Sequence, residues 1–113
     1  MSDCLFCKIA AGTIAAKKVH EDGEVVAFRD IAPQAPTHVL VIPRRHVASL
    51  AECGPAEAPL LGRMLVVAGQ IAAAESLGRG FRTVFNTGAD GGQTVHHLHL
   101  HLLGGRQLSW PPG

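Results

Sequence analysis

The 113-residue chain lacks an excess of charge of either sign: ten Lys and Arg stand against nine Asp and Glu, a formal net charge of +1. Without a basic surplus there is no broad electrostatic footprint for nucleic acid or for an anionic membrane surface, and neither is expected as a partner. Cysteine is scarce as well. Cys4, Cys7 and Cys53 make an odd count, too few to staple a secreted disulfide scaffold. Long apolar runs are missing: Leu65-Val66-Val67-Ala68 is far short of the ~20 residues that span a bilayer. The opening MSDCLFCKIAAG has no basic segment followed by an apolar run, so no secretory signal is expected. Repeats and low-complexity linkers are absent too. These absences predict a single domain over residues 1–113, in a reducing, cytoplasmic compartment. What is present is 47% hydrophobic residues with only 17% charged, enough to bury a core. Histidine is over-supplied: seven of them outnumber the four Phe and one Trp, with no Tyr at all.

Local patterns place the elements. Residues 4 to 11 form a short helix stopped by Gly12, with Phe6, Ile9 and Ala10 available to bury. Asp22-Gly23 predicts a hairpin turn with positive φ between Lys18-Val19 and Val25–Phe28. Asp30 to Thr37 carries Pro33 and Pro36 and reads as an ordered loop, followed by a strand over His38–Ile42. Pro55 to Leu77 is the one long helix, its stripe made of Leu60, Leu61, Met64, Leu65, Ala68, Ile71 and Ala72, and Gly78 or Gly80 would end it. Phe81 to Asn86 is a strand, residues 87 to 92 a glycine-rich loop, and Val95 to Leu103 the last strand. The order is that of an α+β fold with a largely antiparallel sheet.

The last strand carries the chemistry. Side chains two apart lie on one face about 6.8 Å apart, so His97, His99 and His101 share a face while Leu98, Leu100 and Leu102 pack under the helices. A surface cluster or adventitious metal binding would also use such histidines. An imidazole is, however, a good nucleophile towards phosphorus near neutral pH, and its neighbour can move protons. Gly91 and Gly92 just upstream allow backbone N–H groups close to an anion, and Thr94 adds a hydroxyl. Together they point to a phosphate site facing a nucleophilic histidine. At the other end of the chain, Cys4-x-x-Cys7 has the chelate spacing of structural zinc sites, a spacing that redox chemistry and chance also produce. His20, His96 and Cys53 are expected to have no catalytic role: His20 exposed beside the turn, His96 in edge packing with the leucines, Cys53 in a loop. Arg44-Arg45 reads as a solvated strand end.

His97-Leu98-His99-Leu100-His101-Leu102-Leu103 resembles the His-φ-His-φ-His-φ-φ signature of the histidine triad (HIT) superfamily. Phe28–His38, Val41-Ile42-Pro43, Gly91–Val95 and the tail Leu103–Gln107 with Trp110–Gly113 extend the resemblance over essentially the whole chain, and resemble the Hint branch in particular. The resemblance implies the HIT fold: a five-stranded antiparallel sheet with one long and one short helix, pairing in a homodimer into a continuous ten-stranded sheet. Residues 104–113 would be a tail near the dimer interface and active site.

It also implies an enzyme, a purine nucleoside phosphoramidate hydrolase that cleaves AMP- or GMP-type substrates through a nucleotidyl-histidine intermediate. His99 matches the nucleophile, His101 the phosphate-contacting triad member, His97 the first triad histidine and His38 the histidine behind them. Asp30 matches the ribose-binding carboxylate, where a loop cap is the plainer reading. Phe6, Ile9, Phe28, Ile31 and Leu40 match the purine pocket, though each alone reads as ordinary core. Asn86, Gly92 and Thr94 fall at phosphate or leaving-group positions, and Trp110 would reach the partner's site or else cover the core. In relatives with the cysteine pair, two histidines complete a structural zinc site. The matching set is Cys4, Cys7, His46 and His97. Two other functions stay open at this level: dinucleoside polyphosphate hydrolysis by another HIT branch, and a nucleotide- or zinc-binding interaction module with little turnover.

Overall fold

Alternation along the strands decides which face of the sheet each helix covers. In the structure, a computed structural model describing residues 3–113, helix α1 spans Leu5–Ala10 and α2 spans Ala58–Ala74. The strands are β1 Lys18–Glu21, β2 Val25–Arg29, β3 Thr37–Pro43, β4 Phe81–Phe85 and β5 Leu100–Gly104, with single 3₁₀ turns at Leu50–Glu52 and Pro55–Glu57. They form one antiparallel sheet in the order β1-β2-β3-β5-β4. Val25, Ala27, Val39, Val41, Leu100 and Leu102 point to one face and meet Leu60, Met64, Val67, Ala68 and Ile71 of α2. Val26, Phe28, Leu40 and Ile42 point to the other and meet Phe6, Ile9 and Ala10 of α1. Strand β3 is central and buried along its whole length. Its β-branched residues therefore serve two cores at once.

The short helix, the five strands and the long helix stand where the sequence pattern puts them, with four corrections. The Asp22-Gly23 turn does not use positive φ at either residue. The Asp22 carboxylate closes it instead, accepting from the Glu24 and Val25 backbone N–H groups at 2.8 Å each. Helix α2 ends before the glycines. Ser76 takes the left-handed conformation (φ 61°), and the N–H groups of Leu77 and Ser76 bond back to the Ala72 and Ala73 carbonyls. Such a cap turns Leu77 into the core, where it is 7% exposed. On α2 the core stripe includes Val67, whereas Leu65 is exposed. The last strand is shorter than its alternation suggests. Leu100 is the first β5 residue with ladder partners, Val41 and Phe85, so residues 95–99 run extended without a ladder.

Arg44 is no solvated strand end. It donates to the carbonyls of Asp22 and Ala10 and to Glu21, and so ties α1, the β1-β2 turn and the end of β3 together. His20 is half-buried and bonded to Asp22 at 2.7 Å, while His96 is exposed rather than packed with the leucines. Among the described residues, no helix is long and apolar enough to cross a membrane.

Candidate active site and metal centre

The alternation holds through the extended segment even where the ladder does not. Leu98, Leu100 and Leu102 join the α2 core, which leaves His97, His99 and His101 on the α1 face. There Phe6 of α1 stands edge-on to both His97 and His99, with ring centroids at 5.9 and 5.2 Å. The His99 and His101 rings are 5.1 Å apart.

Two backbone groups and one side chain set the tautomers of His99, His38 and His101. A carbonyl only accepts, so the 2.7 Å contact between His99 Nδ1 and the His97 carbonyl requires Nδ1–H. The neutral His99 therefore carries its lone pair on Nε2. His38 is fixed in the opposite sense: the Gln34 N–H donates to its Nδ1 at 3.0 Å, which leaves the proton on Nε2. That Nε2–H donates to His101 Nδ1 at 2.9 Å, and so His101 holds its proton on Nε2. One ring thus presents a free Nε2 lone pair and its neighbour an Nε2–H. His38 stands beside the triad, bonded to His101.

Burial holds His38 and His101 neutral. It pushes His101 down to about 4, with the nearby His99 and His38 adding to the effect and Asp30 opposing it. Burial also lowers His38, against the pull of Asp30. The unfolded chain, with histidines near 6.5, binds more protons than the folded one between about pH 6.5 and 4. Stability is therefore full above pH 6.5 and falls as the pH drops through that window. The thermal midpoint is expected to decline from pH 6.5 to 4.5, less steeply in His101→Gln; a midpoint that holds or rises over that interval would contradict the neutral cluster.

The predicted pocket residues converge on one open cleft of about 910 Å³, whose walls include Phe6, Ile9, Phe28, Asp30, Ile31 and Leu40, with His38 among them. That volume lies within the ~300–1,000 Å³ of small-molecule sites. Phe6, Ile9, Phe28 and Leu40 are buried floor shared with the α1 core. Ile31 is 101% exposed and stands at the rim. Asp30 lines the cleft while it also caps the loop. Its Oδ1 caps the loop by accepting the Ala32 N–H at 2.8 Å, and its Oδ2 faces His38 Nε2 at 3.6 Å.

The remaining predicted residues do not gather at this cleft. Asn86 braces the glycine loop by donating to the Gly91 carbonyl at 2.7 Å. The Gly92 N–H is taken by the Ala89 carbonyl, and Thr94 is exposed. Gly91 is required by close approach, because a Cβ there would sit 2.2 Å from the Thr87 carbonyl oxygen. Trp110 is 83% exposed and neither covers the core nor lines its own chain's cleft. Arg82 holds that tail by donating to the Ser109 and Pro112 carbonyls.

A second constellation backs onto the triad. Cys4, Cys7, His46 and His97 each offer a ligand atom within 4.8 Å of the others. Cys4 caps α1, its Sγ accepting the Cys7 N–H, which brings the two sulfurs to one side of the first turn. His97 Nε2 donates to the Pro43 carbonyl at 2.9 Å, leaving the Nδ1 lone pair facing Cys4 Sγ at 3.3 Å, Cys7 Sγ at 3.5 Å and His46 Nδ1 at 3.2 Å. Cys7 Sγ lies 3.4 Å from His46 Nδ1. A tetrahedral Zn²⁺ with ordinary bond lengths separates two nitrogens by about 3.4 Å and sulfur from nitrogen by about 3.6 Å. The donor set and its spacing therefore fit zinc. Burial and the adjoining Cys4 push the Cys7 thiol up, so a cation is what would convert it to a thiolate. Cys53 lies outside this cluster, its Sγ against the Ser49 carbonyl.

Fold and cluster together define a triad of tautomer-locked histidines beside an apolar cleft, on a five-stranded sheet between two helices. Comparison with known proteins gives the class its name. The family described as "Scavenger mRNA decapping enzyme C-term binding" matches residues 3–109. An uncharacterized HIT-like protein of Synechococcus elongatus is 55% identical over 98% of this chain and 97% of its own. A HIT family hydrolase from Legionella pneumophila superposes with a TM-score of 0.96 at 54% identity, over 98% of this chain and all of the other. A histidine triad protein from Clostridium difficile gives 0.93 at 44% identity, over 96% of each chain. This chain belongs to the HIT family.

Proposed function

We propose that this chain is a purine nucleoside phosphoramidate hydrolase of the Hint branch, releasing AMP from AMP-linked amines and related adenylates. The observation that carries the reading is the pair of opposed tautomers: His99 with a free Nε2 lone pair and His101 with Nε2–H. The hydrolase name of the Legionella relative supports it.

The purine enters between Phe6, Ile9, Phe28 and Leu40, with Ile31 closing over the rim. Asp30 accepts from the ribose hydroxyls, a pair of bonds a deoxyribonucleotide cannot make. His99 Nε2 attacks the α-phosphorus in line, the N–P bond forms as the P–N bond to the amine breaks, and the departing nitrogen takes up a proton from solvent while the His101 Nε2–H hydrogen-bonds to it. His97 contributes its carbonyl, which holds the His99 ring and becomes a stronger acceptor partner as that ring gains positive charge. Water then attacks the nucleotidyl phosphorus, gives up a proton to solvent and frees AMP with His99 restored. Asn86, Gly92, Thr94 and the loop they occupy lie beside the leaving group.

Cys4, Cys7, His46 and His97 would hold one zinc ion. With four protein ligands the coordination sphere is closed, so the ion supplies a structural cross-link between α1, the segment after β3 and the triad. The active unit is a cytoplasmic homodimer, with the sheets joined into ten strands and residues 104–113, Trp110 included, reaching the partner's site.

Incubation with AMP-tryptamine phosphoramidate and, separately, diadenosine tetraphosphate tests the reading. AMP release from the phosphoramidate at a kcat/KM at least tenfold above that for the dinucleotide is expected. A preference for the dinucleotide would move the chain to another branch, and turnover of neither would leave a binding module.

A further inference from the structure

The His38 ring that orients His101 is itself oriented by a loop with few ties of its own. Gln34, whose N–H fixes His38, lies between Pro33 and Pro36 in an exposed stretch of the Asp30–Thr37 loop. Proline at both sides removes two backbone donors, so this stretch cannot secure itself by a ladder. Its anchor comes from 72 positions further along: Arg106 Nε donates to the Gln34 carbonyl at 3.0 Å, while its Nη1 donates to the Gln107 carbonyl at 3.1 Å. Gly105 makes the approach feasible. It has φ +90°, and a Cβ there would sit 2.9 Å from Pro36 Cβ.

We infer that Arg106 is a positioning residue for the triad: it clamps Gln34 from behind so that the Gln34 N–H holds His38, and His38 holds His101 with its proton on Nε2. The chain of contacts is continuous, from Arg106 to Gln34, His38 and His101, each link between 2.9 and 3.0 Å. A guanidinium suits the task because two of its N–H groups reach two carbonyls in a fixed plane, which a lysine ammonium does not reproduce. Arg106 touches no reacting atom. Its effect falls on the orientation of the hydrogen-bond donor, which belongs to the chemical step, and not on the apolar walls that hold the base.

The inference rests on the proposed function for its kinetic consequence but not for its structural one, and the test separates them. In wild-type protein, ¹⁵N-resolved imidazole spectra should show His38 as a single Nε2–H tautomer. Arg106→Ala should mix the His38 tautomers and lower kcat for AMP-tryptamine phosphoramidate about tenfold with KM changed less than twofold, within the ~100-fold that ~1 Å of misplacement causes. Arg106→Lys should recover part of both. Loss of the His38 tautomer in a chain that turns over no phosphoramidate would uphold the clamp and overturn only the proposed activity. An Arg106→Ala protein with wild-type His38 spectra and wild-type kcat would overturn the clamp, as would a variant whose whole loss lies in KM.

Discussion

Replacing His99 with alanine is expected to lower turnover of an AMP-linked amine by at least about 10⁴-fold, with fold, zinc content and dimerisation unchanged. The size follows from the role: in an enzyme that works through a covalent intermediate, loss of the nucleophile alone removes most of the rate enhancement, on the order of 10⁶-fold where it has been isolated. His99 is 7% exposed and makes its one side-chain hydrogen bond to the His97 carbonyl, so its removal leaves no buried donor stranded in another residue. Asp30 and the apolar walls remain, and nucleotide binding should persist. Kinetics of the purified variant alongside its circular dichroism and its affinity for AMP check this. A variant retaining a tenth of wild-type turnover would remove His99 from the role.

Replacing Cys4 with alanine is expected to reduce zinc from about one ion per chain to a trace and to lower the thermal midpoint by about 15 °C. A ligand present at about 1,000 times its dissociation constant contributes about 4 kcal/mol to the folded state, and each kcal/mol moves the midpoint of a domain of this size by roughly 4 °C. The remaining three donors cannot close a tetrahedron, and Cys4 also loses its capping bond to the Cys7 N–H. Because His97 presents its ring to this cluster and its carbonyl to His99, turnover should fall as well, by less than in the His99 variant. Elemental analysis and thermal unfolding of both proteins supply the check. A wild-type protein that is free of metal and unaltered in stability after chelator treatment would refute the structural zinc site.

The site was legible to the extent that periodicity or spacing encodes it. Alternation of histidine with leucine puts three imidazoles on one face whether or not the segment is hydrogen-bonded as a strand, and so the face is right while the strand boundary at Leu100 is not. Ladder partners belong to other strands: β4 ends at Phe85, the partner of Leu100, and residues 95–99 themselves carry no sign of that. Cys4-x-x-Cys7 is visible because one helical turn sets the distance between two sulfurs, whereas His46 and His97 come from remote positions and were supplied by resemblance.

Side-chain bonds to distant backbone carbonyls left no pattern to read. Arg44 on the Ala10 and Asp22 carbonyls and Arg106 on the Gln34 carbonyl look in the sequence like any surface arginine. The end of α2 was misplaced for a related reason. Gly78 is a good local signal for a helix end, but burying Leu77 in the core sets the cap two residues earlier, at Ser76. Of the two readings of Trp110, exposure removes only the core cover, because the tail that carries it is held on β4 through backbone carbonyls.

The central claim is that His99 Nε2, the nitrogen left free by the Nδ1–H bond to the His97 carbonyl, forms a bond to phosphorus. Rapid acid quench of the enzyme during turnover of AMP-tryptamine phosphoramidate, followed by peptide mass spectrometry, tests it directly. The account predicts a nucleotidyl adduct of AMP on the peptide containing His99, absent from the His99→Ala protein. Full turnover with no adduct at any quench time, or an adduct borne by His97 or His101, would contradict it.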